Sequence, residues 1–395
     1  MKTYDAKHFD EIIDRKNTNS LKYDFAVERG RPADILPLWV ADMDFKVADE
    51  ITDAISNIVS HGIYGYTDSK DDYFDAIKNW YKHNYSWEIK KEWLVKTPGV
   101  VFAIATAIRA FTSPGDSIII QQPVYYPFFK MIQYNDRVVV NSPLVNEDGR
   151  YKMNFEEFEQ KIIQHKVKLF ILCSPHNPVG RVWTVDELKQ IGEICCKHNV
   201  LVISDEIHSD FTYEGHTHTV FSTISDEFKN NSIICTAPSK TFNLAGLQIS
   251  NVFIANEDLR KRFIREKAKT GYDEVNTIGL AAAKAAYSEG QPWLNGMKLY
   301  LKDNLDYVRE FLKERLPMLT LVEPDGTYLV WINFKGLGLS VSEREDFIVN
   351  KAKLWLDSGS MFGVDGKDYE RINIACPRSV LKKALEQLET AILAI

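Results

Sequence analysis

TAPSKTFNLAG, residues 236–246, places one lysine between two apolar runs. The runs at 232–235 and 247–254 are typical of buried strands, so Lys240 is predicted to lie in a short turn that faces a cleft or solvent. Two interpretations are open for it: a solvated loop lysine, or a lysine whose amine forms an imine with a carbonyl compound. The Ser239 hydroxyl beside it and the glycine that ends the stretch leave room for a ligand close to the backbone.

Apolar and amphipathic runs alternate ahead of this stretch. The apolar runs that predict strands are 117–121, 137–140, 168–173, 200–204 and 232–235, and the amphipathic runs that predict helices are 125–134, 154–165, 184–198 and 219–228. Near-continuous apolar strands separated by helices are typical of a mostly parallel sheet covered on both faces. The predicted fold class is therefore α/β.

The pattern changes after about residue 290. The elements predicted there are, in order, a long helix to about 316, strands around a turn at 319–334, a helix at about 342–357, a strand at 371–375 and a helix at about 379–393. Such a mixture is typical of a smaller α+β domain. We therefore predict a large domain over 48–290, and a small domain formed by 291–395 together with the N-terminal segment 1–47.

Composition narrows the possible classes of function. The 395 residues carry 48 basic and 55 acidic side chains, and the net charge of −7 argues against nucleic acid or an anionic membrane as the main partner. Five cysteines without C-x-x-C spacing argue against a zinc site and indicate a reduced, cytoplasmic protein. We find no apolar run long enough to span a membrane, no secretion signal, no G-x-G-x-x-G and no P-loop.

Four chemically different side chains follow predicted strands. They are Tyr125, Asn177, Asp205 and Lys240, and ligands of open α/β sheets bind at the carboxyl ends of the strands. Taken singly, each has a structural alternative: core packing, a turn residue, a helix cap or a solvated lysine. Together they match what pyridoxal phosphate requires, namely a lysine for the imine, a carboxylate for the pyridine nitrogen, a donor to the phenolic oxygen and an aromatic ring for stacking.

Two further stretches are candidates for the same site. A helix predicted to start at Val100, after Thr97-Pro98-Gly99, exposes backbone N–H groups that can hold a phosphate, although most helix starts bind only water. Asp42 and Asp44 lie in the apolar segment LPLWVADMDF (residues 36–45) and are either functional carboxylates or capping or turn carboxylates before the helix predicted at about 47–60.

Six motifs carry a resemblance that covers nearly the whole chain. They are LPLWVADMDF (36–45), TPGVVFAI (97–104), SPHNPVGRVW (174–183), SDEIHSDF (204–211), APSKTFNLAGLQ (237–248) and RINIACPRS (371–379). The chain resembles the fold-type-I pyridoxal-phosphate enzymes, the aspartate-aminotransferase-like superfamily, and within it the cystathionine β-lyase group of C–S lyases. The resemblance implies a seven-stranded sheet in the large domain, pyridoxal 5'-phosphate as cofactor and a homodimer.

The resemblance also implies a role for individual residues. It implies that Lys240 forms the imine, that Asp205 pairs with the pyridinium nitrogen, that Asn177 donates to the phenolic oxygen and that Tyr125 is the stacking ring. It implies that Val100, Val101 and Ser239 contact the phosphate and that Arg371 clamps the α-carboxylate. It also implies that Tyr66 contacts the phosphate and substrate of the neighbouring subunit. Arg378 has no matched role and is interpreted as structural.

Two departures from the aminotransferase pattern point to the lyase group. His208 stands where many aminotransferases have tyrosine, and Gln248 stands where many have an arginine on the phosphate. His208 is either a second contact to the cofactor or a packing residue hydrogen-bonded to Asp210. We therefore expect cleavage of L-cystathionine or a related cysteine thioether to a thiol, pyruvate and ammonia. The alternatives are an aminotransferase and a pyridoxal-binding regulator.

Overall fold

The computed structural model describes residues 3–394. Its helices are α1 Ala6–Asp10, α2 Asp49–His61, α3 Asp71–Tyr85, α4 Val100–Phe111, α5 Pro127–Tyr134, α6 Phe155–His165, α7 Val185–Lys197, α8 Asp226–Asn230, α9 Pro238–Thr241, α10 Glu257–Ala268, α11 Thr277–Glu289, α12 Gln291–Arg315, α13 Val341–Asp346 and α14 Arg378–Ile392.

The strands are short and many are fully buried. They are β1 Leu36–Pro37, β2 Leu94–Thr97, β3 Ser117–Ile120, β4 Val138–Asn141, β5 Val145–Glu147, β6 Arg150–Lys152, β7 Leu169–Cys173, β8 Leu201–Asp205, β9 Ser232–Thr236, β10 Ser250–Phe253, β11 Thr320–Val322, β12 Leu329–Asn333, β13 Leu354–Trp355, β14 Asp357–Ser358 and β15 Tyr369–Asn373.

A seven-stranded sheet forms the centre of the molecule. Its strand order is β2-β10-β9-β8-β7-β3-β4, and only β10 runs antiparallel to its neighbours. Strands β7, β8 and β9 are buried along their whole length, as expected when helices cover both faces of a parallel sheet. The predicted α/β class and the seven-stranded sheet are confirmed.

Local sequence signals fix the ends of the helices. Helix α7 begins with a capping box, in which Thr184 and Glu187 each bind the other's backbone N–H, and α6 begins with Asn154 accepting from the backbone of Glu157. No helix in the described part of the chain is long and apolar enough to cross a membrane.

A second sheet lies C-terminal to the first. It has the order β11-β12-β15-β14 and is antiparallel throughout. The loop before β12 packs on the large sheet, since the backbone of Gly180 accepts from the N–H groups of Asp325 and Gly326 at 2.8 and 2.9 Å. Gly180 has φ of +71°, and a Cβ there would lie 2.6 Å from Pro324, so this close approach requires glycine.

Three predicted elements differ from the structure. The helix expected at 219–228 is a 3₁₀ turn and the five-residue α8, because Ser225 caps a new helix start at this point. The helix expected at 342–357 ends at Asp346, continues as a π-helix over Phe347–Lys351, and is followed by β13 and β14. The turn expected around the lysine is the single helical turn α9.

Candidate active site

A cavity of about 200 Å³ opens at the carboxyl ends of β7, β8 and β9. It is lined by Ala41, Pro98, Gly99, Val100, Val101, Tyr125, Cys173, Asn177, Asp205, Ile207, His208, Ser239, Lys240, Ala245 and Ile249. The structure thus brings together most of the residues that the sequence singled out.

Lys240 lies on α9, immediately after the buried strand β9. Pro238 occupies the first turn of this helix, where a missing N–H costs nothing. The Lys240 ammonium donates to the carbonyl oxygen of Ala41 at 2.7 Å. Burial, reinforced by the positive charge of Arg371, lowers the pKa of Lys240 to about 8. The neutral amine is therefore a minor but appreciable form near physiological pH.

The Ala41 carbonyl is held in place by the segment around it. Tyr328 donates its hydroxyl to the same oxygen at 2.9 Å. Asn243, three residues after the lysine, exchanges two hydrogen bonds of 2.9 Å with the backbone of Met43. The loop whose Ala41 carbonyl accepts from Lys240 is therefore hydrogen-bonded to the segment that directly follows α9, the helical turn that carries Lys240.

Asp42 and Asp44 make ion pairs and do not cap a helix. Arg15 donates to both carboxylates at 2.6 Å, and the fully buried Lys22 lies 2.7 Å from Asp44. Helix α2 begins after Ala48 with no side-chain cap, so the capping interpretation is wrong. These pairs tie the N-terminal segment to the Ala41 loop.

Asp205 ends β8 inside the cavity. Its Oδ1 accepts from the backbone N–H of Ile207 at 3.2 Å, and no cation within 4 Å pairs with it among the described residues. Burial raises the pKa of this carboxyl to about 7, although the Lys240 ammonium partly opposes the shift. A buried carboxylate in this state favours a ligand that brings a positively charged N–H donor.

Asn177 and Arg371 form one hydrogen-bonded unit. The Asn177 Oδ1 accepts from Arg371 Nη1 at 3.0 Å, while Nη2 donates to Asp357 and, at 2.9 Å, to the carbonyl of Trp39. The guanidinium is almost wholly buried, and its Nε–H has no partner among the described residues. A buried free donor of this kind is typical of a site that accepts an anion.

The start of α4 has the geometry of an anion cradle. Gly99 precedes the helix in an extended conformation, and a Cβ built on it would meet no atom within 4 Å. Without that Cβ, an anion can approach the N–H groups of Val100 and Val101 closely. Ser239 lines the same cavity and can add a hydroxyl donor.

Tyr125 and His208 also line the cavity. The Tyr125 ring packs edge-on against Phe128 with centroids 5.7 Å apart. Burial and the charges of Lys240 and Arg371 lower the pKa of His208 well below its ordinary value, so the ring is neutral. Its Nδ1 has no partner among the described residues. The expected hydrogen bond to Asp210 is absent from the described residues, since that carboxylate accepts from Tyr85 and Thr241.

Several residues named in the sequence analysis do not line the cavity, and Arg371 is one of them, although its hydrogen-bond partner Asn177 does. Tyr66 is 95% exposed in the loop between α2 and α3. Gln248 is exposed, with φ of +50°. Arg378 donates to Asn304 at 2.7 Å and covers a tyrosine ring, which fits the structural interpretation. The Ala41 and Trp39 carbonyls could not be predicted, because backbone acceptors carry no sequence signal. Asp357 was hidden because it lies in a segment that was predicted as a helix but forms β14.

The residues present fit pyridoxal phosphate. Asp205 offers an acceptor to a charged ring nitrogen, Lys240 offers an amine, and the start of α4 with Ser239 offers donors to a phosphate. Asn177 can donate to the phenolic oxygen through its amide, because its oxygen is already bound by Arg371.

Comparison with known proteins points to the same chemistry. The model of the family described as "Aminotransferase class I and II" matches residues 33–388. Cystathionine beta-lyase PatB of Bacillus subtilis (strain 168) is 40% identical over 385 residues, which cover 98% of this chain and 100% of that protein.

Solved structures share both fold and sequence with this chain. Cystalysin of Treponema denticola, which contains a pyridoxal 5'-phosphate cofactor, has a TM-score of 0.95 and 38% identity over 98% of each chain. A PLP-bound protein of Clostridium difficile 630, provisionally named an aminotransferase, has a TM-score of 0.95 and 46% identity, over 97% of this chain and 99% of its own.

Proposed function

We propose, from the premise that this chain belongs to the class I and II aminotransferase family, that it cleaves the Cβ–S bond of L-cystathionine or a related cysteine thioether. It is a pyridoxal-phosphate-dependent C–S lyase. The observation that carries this proposal is the cavity shared by Lys240, Asp205 and Asn177, in a chain 40% identical to a cystathionine beta-lyase.

When bound, the cofactor supplies a carbonyl carbon for the substrate amine and a ring that accepts the electron pair left at Cα. Lys240 would hold the cofactor through its amine until the substrate amine takes its place. Asp205 would keep the ring nitrogen protonated, Asn177 would donate to the phenolic oxygen, and Tyr125 would stack on the ring. His208 would be a second contact to the ring. Val100, Val101 and Ser239 would hold the phosphate.

Arg371 binds and orients the α-carboxylate. The Lys240 amine, neutral in part because its pKa is lowered to about 8, then takes the proton from Cα. The Cβ–S bond breaks and its electron pair leaves with the sulfur as a thiolate. Addition of water to the remaining three-carbon fragment yields pyruvate and ammonia.

The paired assay that tests this function uses one preparation with two readouts. Pyruvate release from L-cystathionine is followed without any 2-oxo acid, and amino transfer from L-aspartate to 2-oxoglutarate is followed beside it. We expect many turnovers of pyruvate and little transfer, with both lost in Lys240→Ala. Transfer that outpaces pyruvate release by tenfold, about 1.4 kcal/mol in barrier, would replace the lyase by the aminotransferase alternative.

We further propose that the enzyme is a cytoplasmic homodimer in which Tyr66 serves the neighbouring subunit's site. Its loop is exposed and apolar, with Ile63 and Tyr64 at 72% and 58% exposure, which supports an interface. All five cysteines are free and four are buried, which suits a reducing compartment.

A further inference from the structure

Arg371 is already bound to a carboxylate of its own chain. Its Nη2 donates to Asp357, and both side chains of this pair are only 3% exposed. The other hydrogen of Nη2 is used by the Trp39 carbonyl and one of Nη1 by Asn177. Only the Nε–H and the second hydrogen of Nη1 remain.

In the bidentate pair proposed for Arg371, a substrate carboxylate accepts from two parallel N–H donors of the guanidinium. Two pairs of donors can form such a fork: the Nε–H with one hydrogen of Nη2, or one hydrogen of Nη1 with one of Nη2. Both pairs include Nη2. Asp357 therefore competes with an incoming carboxylate for the same nitrogen.

The charge balance around Asp357 makes this competition costly. The titratable and charged groups near it are Arg29, Arg31, Tyr125, Tyr126, Glu345, Glu370 and Arg371. Arg31 pairs with Glu345, and Glu370 pairs with Arg344, each at 2.8 Å. Asp357 thus has Arg371 as its close cation, and a second carboxylate there would leave one buried negative charge in excess.

Solvent has a route to Asp357 from the other side. The residue lines a separate cavity of about 290 Å³ together with Arg29, Trp39 and Ser358. Burial also raises the pKa of the Asp357 carboxyl, against the opposing effect of Arg371. A proton can therefore reach this carboxylate without passing through the cofactor cavity.

We infer that Asp357 is a resident counter-ion of Arg371, and that it takes up one proton from solvent when a substrate carboxylate binds to that arginine. This inference rests on the carboxylate-binding role proposed for Arg371. It makes Asp357 a positioning residue that sets how substrate affinity depends on pH.

The sign of the dependence follows from linkage. The pKa of Asp357 is higher in the complex than in the free enzyme, because a second anion disfavours its ionised form. Between these two pKa values, affinity for the carboxylate falls about tenfold for each unit by which pH rises. Below and above that window the contribution of Asp357 is constant.

The test measures proton uptake directly, on the holoenzyme. The ligand is 3-(methylthio)propionate, which carries the carboxylate and thioether but no amine, so it cannot react with the cofactor. Calorimetric titrations between pH 6 and 8.5, in buffers of different ionisation enthalpy, give the number of protons bound. Asp357→Asn keeps the shape of the side chain, and Ser358→Ala is the control from the same cavity wall.

On binding the ligand at some pH between 6 and 8.5, we expect wild type and Ser358→Ala to take up close to one proton more than Asp357→Asn does. We also expect Asp357→Asn to bind the ligand about tenfold more tightly at the alkaline end. A purely structural role in holding Arg371 gives the opposite result, namely weaker binding by Asp357→Asn. Equal proton uptake by wild type and Asp357→Asn, or weaker binding by the variant, overturns the inference.

Arg371→Lys separates this inference from the proposed function. Loss of binding in that variant, together with equal proton uptake by wild type and Asp357→Asn, rejects the role of Asp357 alone. Unchanged binding in Arg371→Lys rejects the carboxylate clamp itself, and the inference with it.

Discussion

Asp205→Asn is expected to stabilise the cofactor-free protein while it removes activity. Burial moves the pKa of this carboxyl from 3.8 to about 7, and a shift of about 3 units corresponds to about 4 kcal/mol. That energy is the cost of burying the charge in the cavity, after the partial compensation by the Lys240 ammonium. Asparagine removes the charge but still buries an amide, at about 1–3 kcal/mol, so the net gain is about 1–3 kcal/mol.

The stability difference between Asp205→Asn and wild type should depend on pH. Because the folded-state pKa of Asp205 lies above the unfolded value, the penalty is absent below pH 3.8, grows as pH rises, and is complete above about pH 7. The advantage of Asp205→Asn should therefore be large at pH 8 and small at pH 5. With cofactor bound the order reverses, since the variant cannot keep the ring nitrogen protonated.

Urea unfolding of the cofactor-free proteins at pH 5 and pH 8 measures the effect as a shift in midpoint. Glu206→Gln is a matched control on the same strand end. That carboxylate accepts from Ser204 and the backbone of Phe221 through Oε1 and contacts His218 through Oε2, so an amide nitrogen in place of Oε2 should disturb the His218 contact and lower stability. A wild-type protein more stable than Asp205→Asn at pH 8, or a difference that does not change with pH, would refute the reasoning.

Four further outcomes are expected. Arg371→Lys keeps the charge but loses the planar fork, so kcat/KM for amino-acid substrates should fall by about 2–4 kcal/mol with cofactor content unchanged; full activity contradicts the clamp. Borohydride treatment followed by peptide mapping should find the cofactor on Lys240, and another labelled lysine rejects that assignment. Because the neutral Lys240 amine is the proposed base and its pKa is about 8, kcat should rise with pH and level off above about 8; a flat kcat profile speaks against this base. Mixing inactive Lys240→Ala and Tyr66→Phe chains should restore activity at about a quarter of the sites by random pairing, whereas no recovery after verified subunit exchange argues against a shared site.

The sequence predicted the sheet and the cavity well because both follow from strong local patterns. Apolar strands such as β8 and β9 are buried along their whole length; Asp205 ends β8, and Lys240 follows β9 on α9. Parallel strands bring their carboxyl ends to one edge, so order along the chain was sufficient to predict proximity. The assignment of 48–290 and the remaining segments to two domains stays a prediction.

Other features were hidden because they depend on tertiary contacts. A backbone carbonyl such as that of Ala41 has the same chemistry at every position, so only the folded chain shows which one meets Lys240. The helical pattern at 342–357 concealed Asp357, since its burial next to Arg371 depends on a pairing between β14 and β15. Tertiary pairing here overrides local helix propensity.

The edge of the large sheet determines when, during synthesis, the cofactor site can form. Strand β2 ends that sheet and pairs with β10, where the hydroxyls of Thr97 and Ser250 meet at 2.6 Å across 153 positions of the chain. The anion cradle at the start of α4 follows β2 directly, so its support is missing until residue 253 has left the ribosome. Arg371 emerges later still. A nascent chain that ends before β10 therefore has unpaired apolar strands and an incomplete cofactor site, and such exposed strands are prone to aggregation.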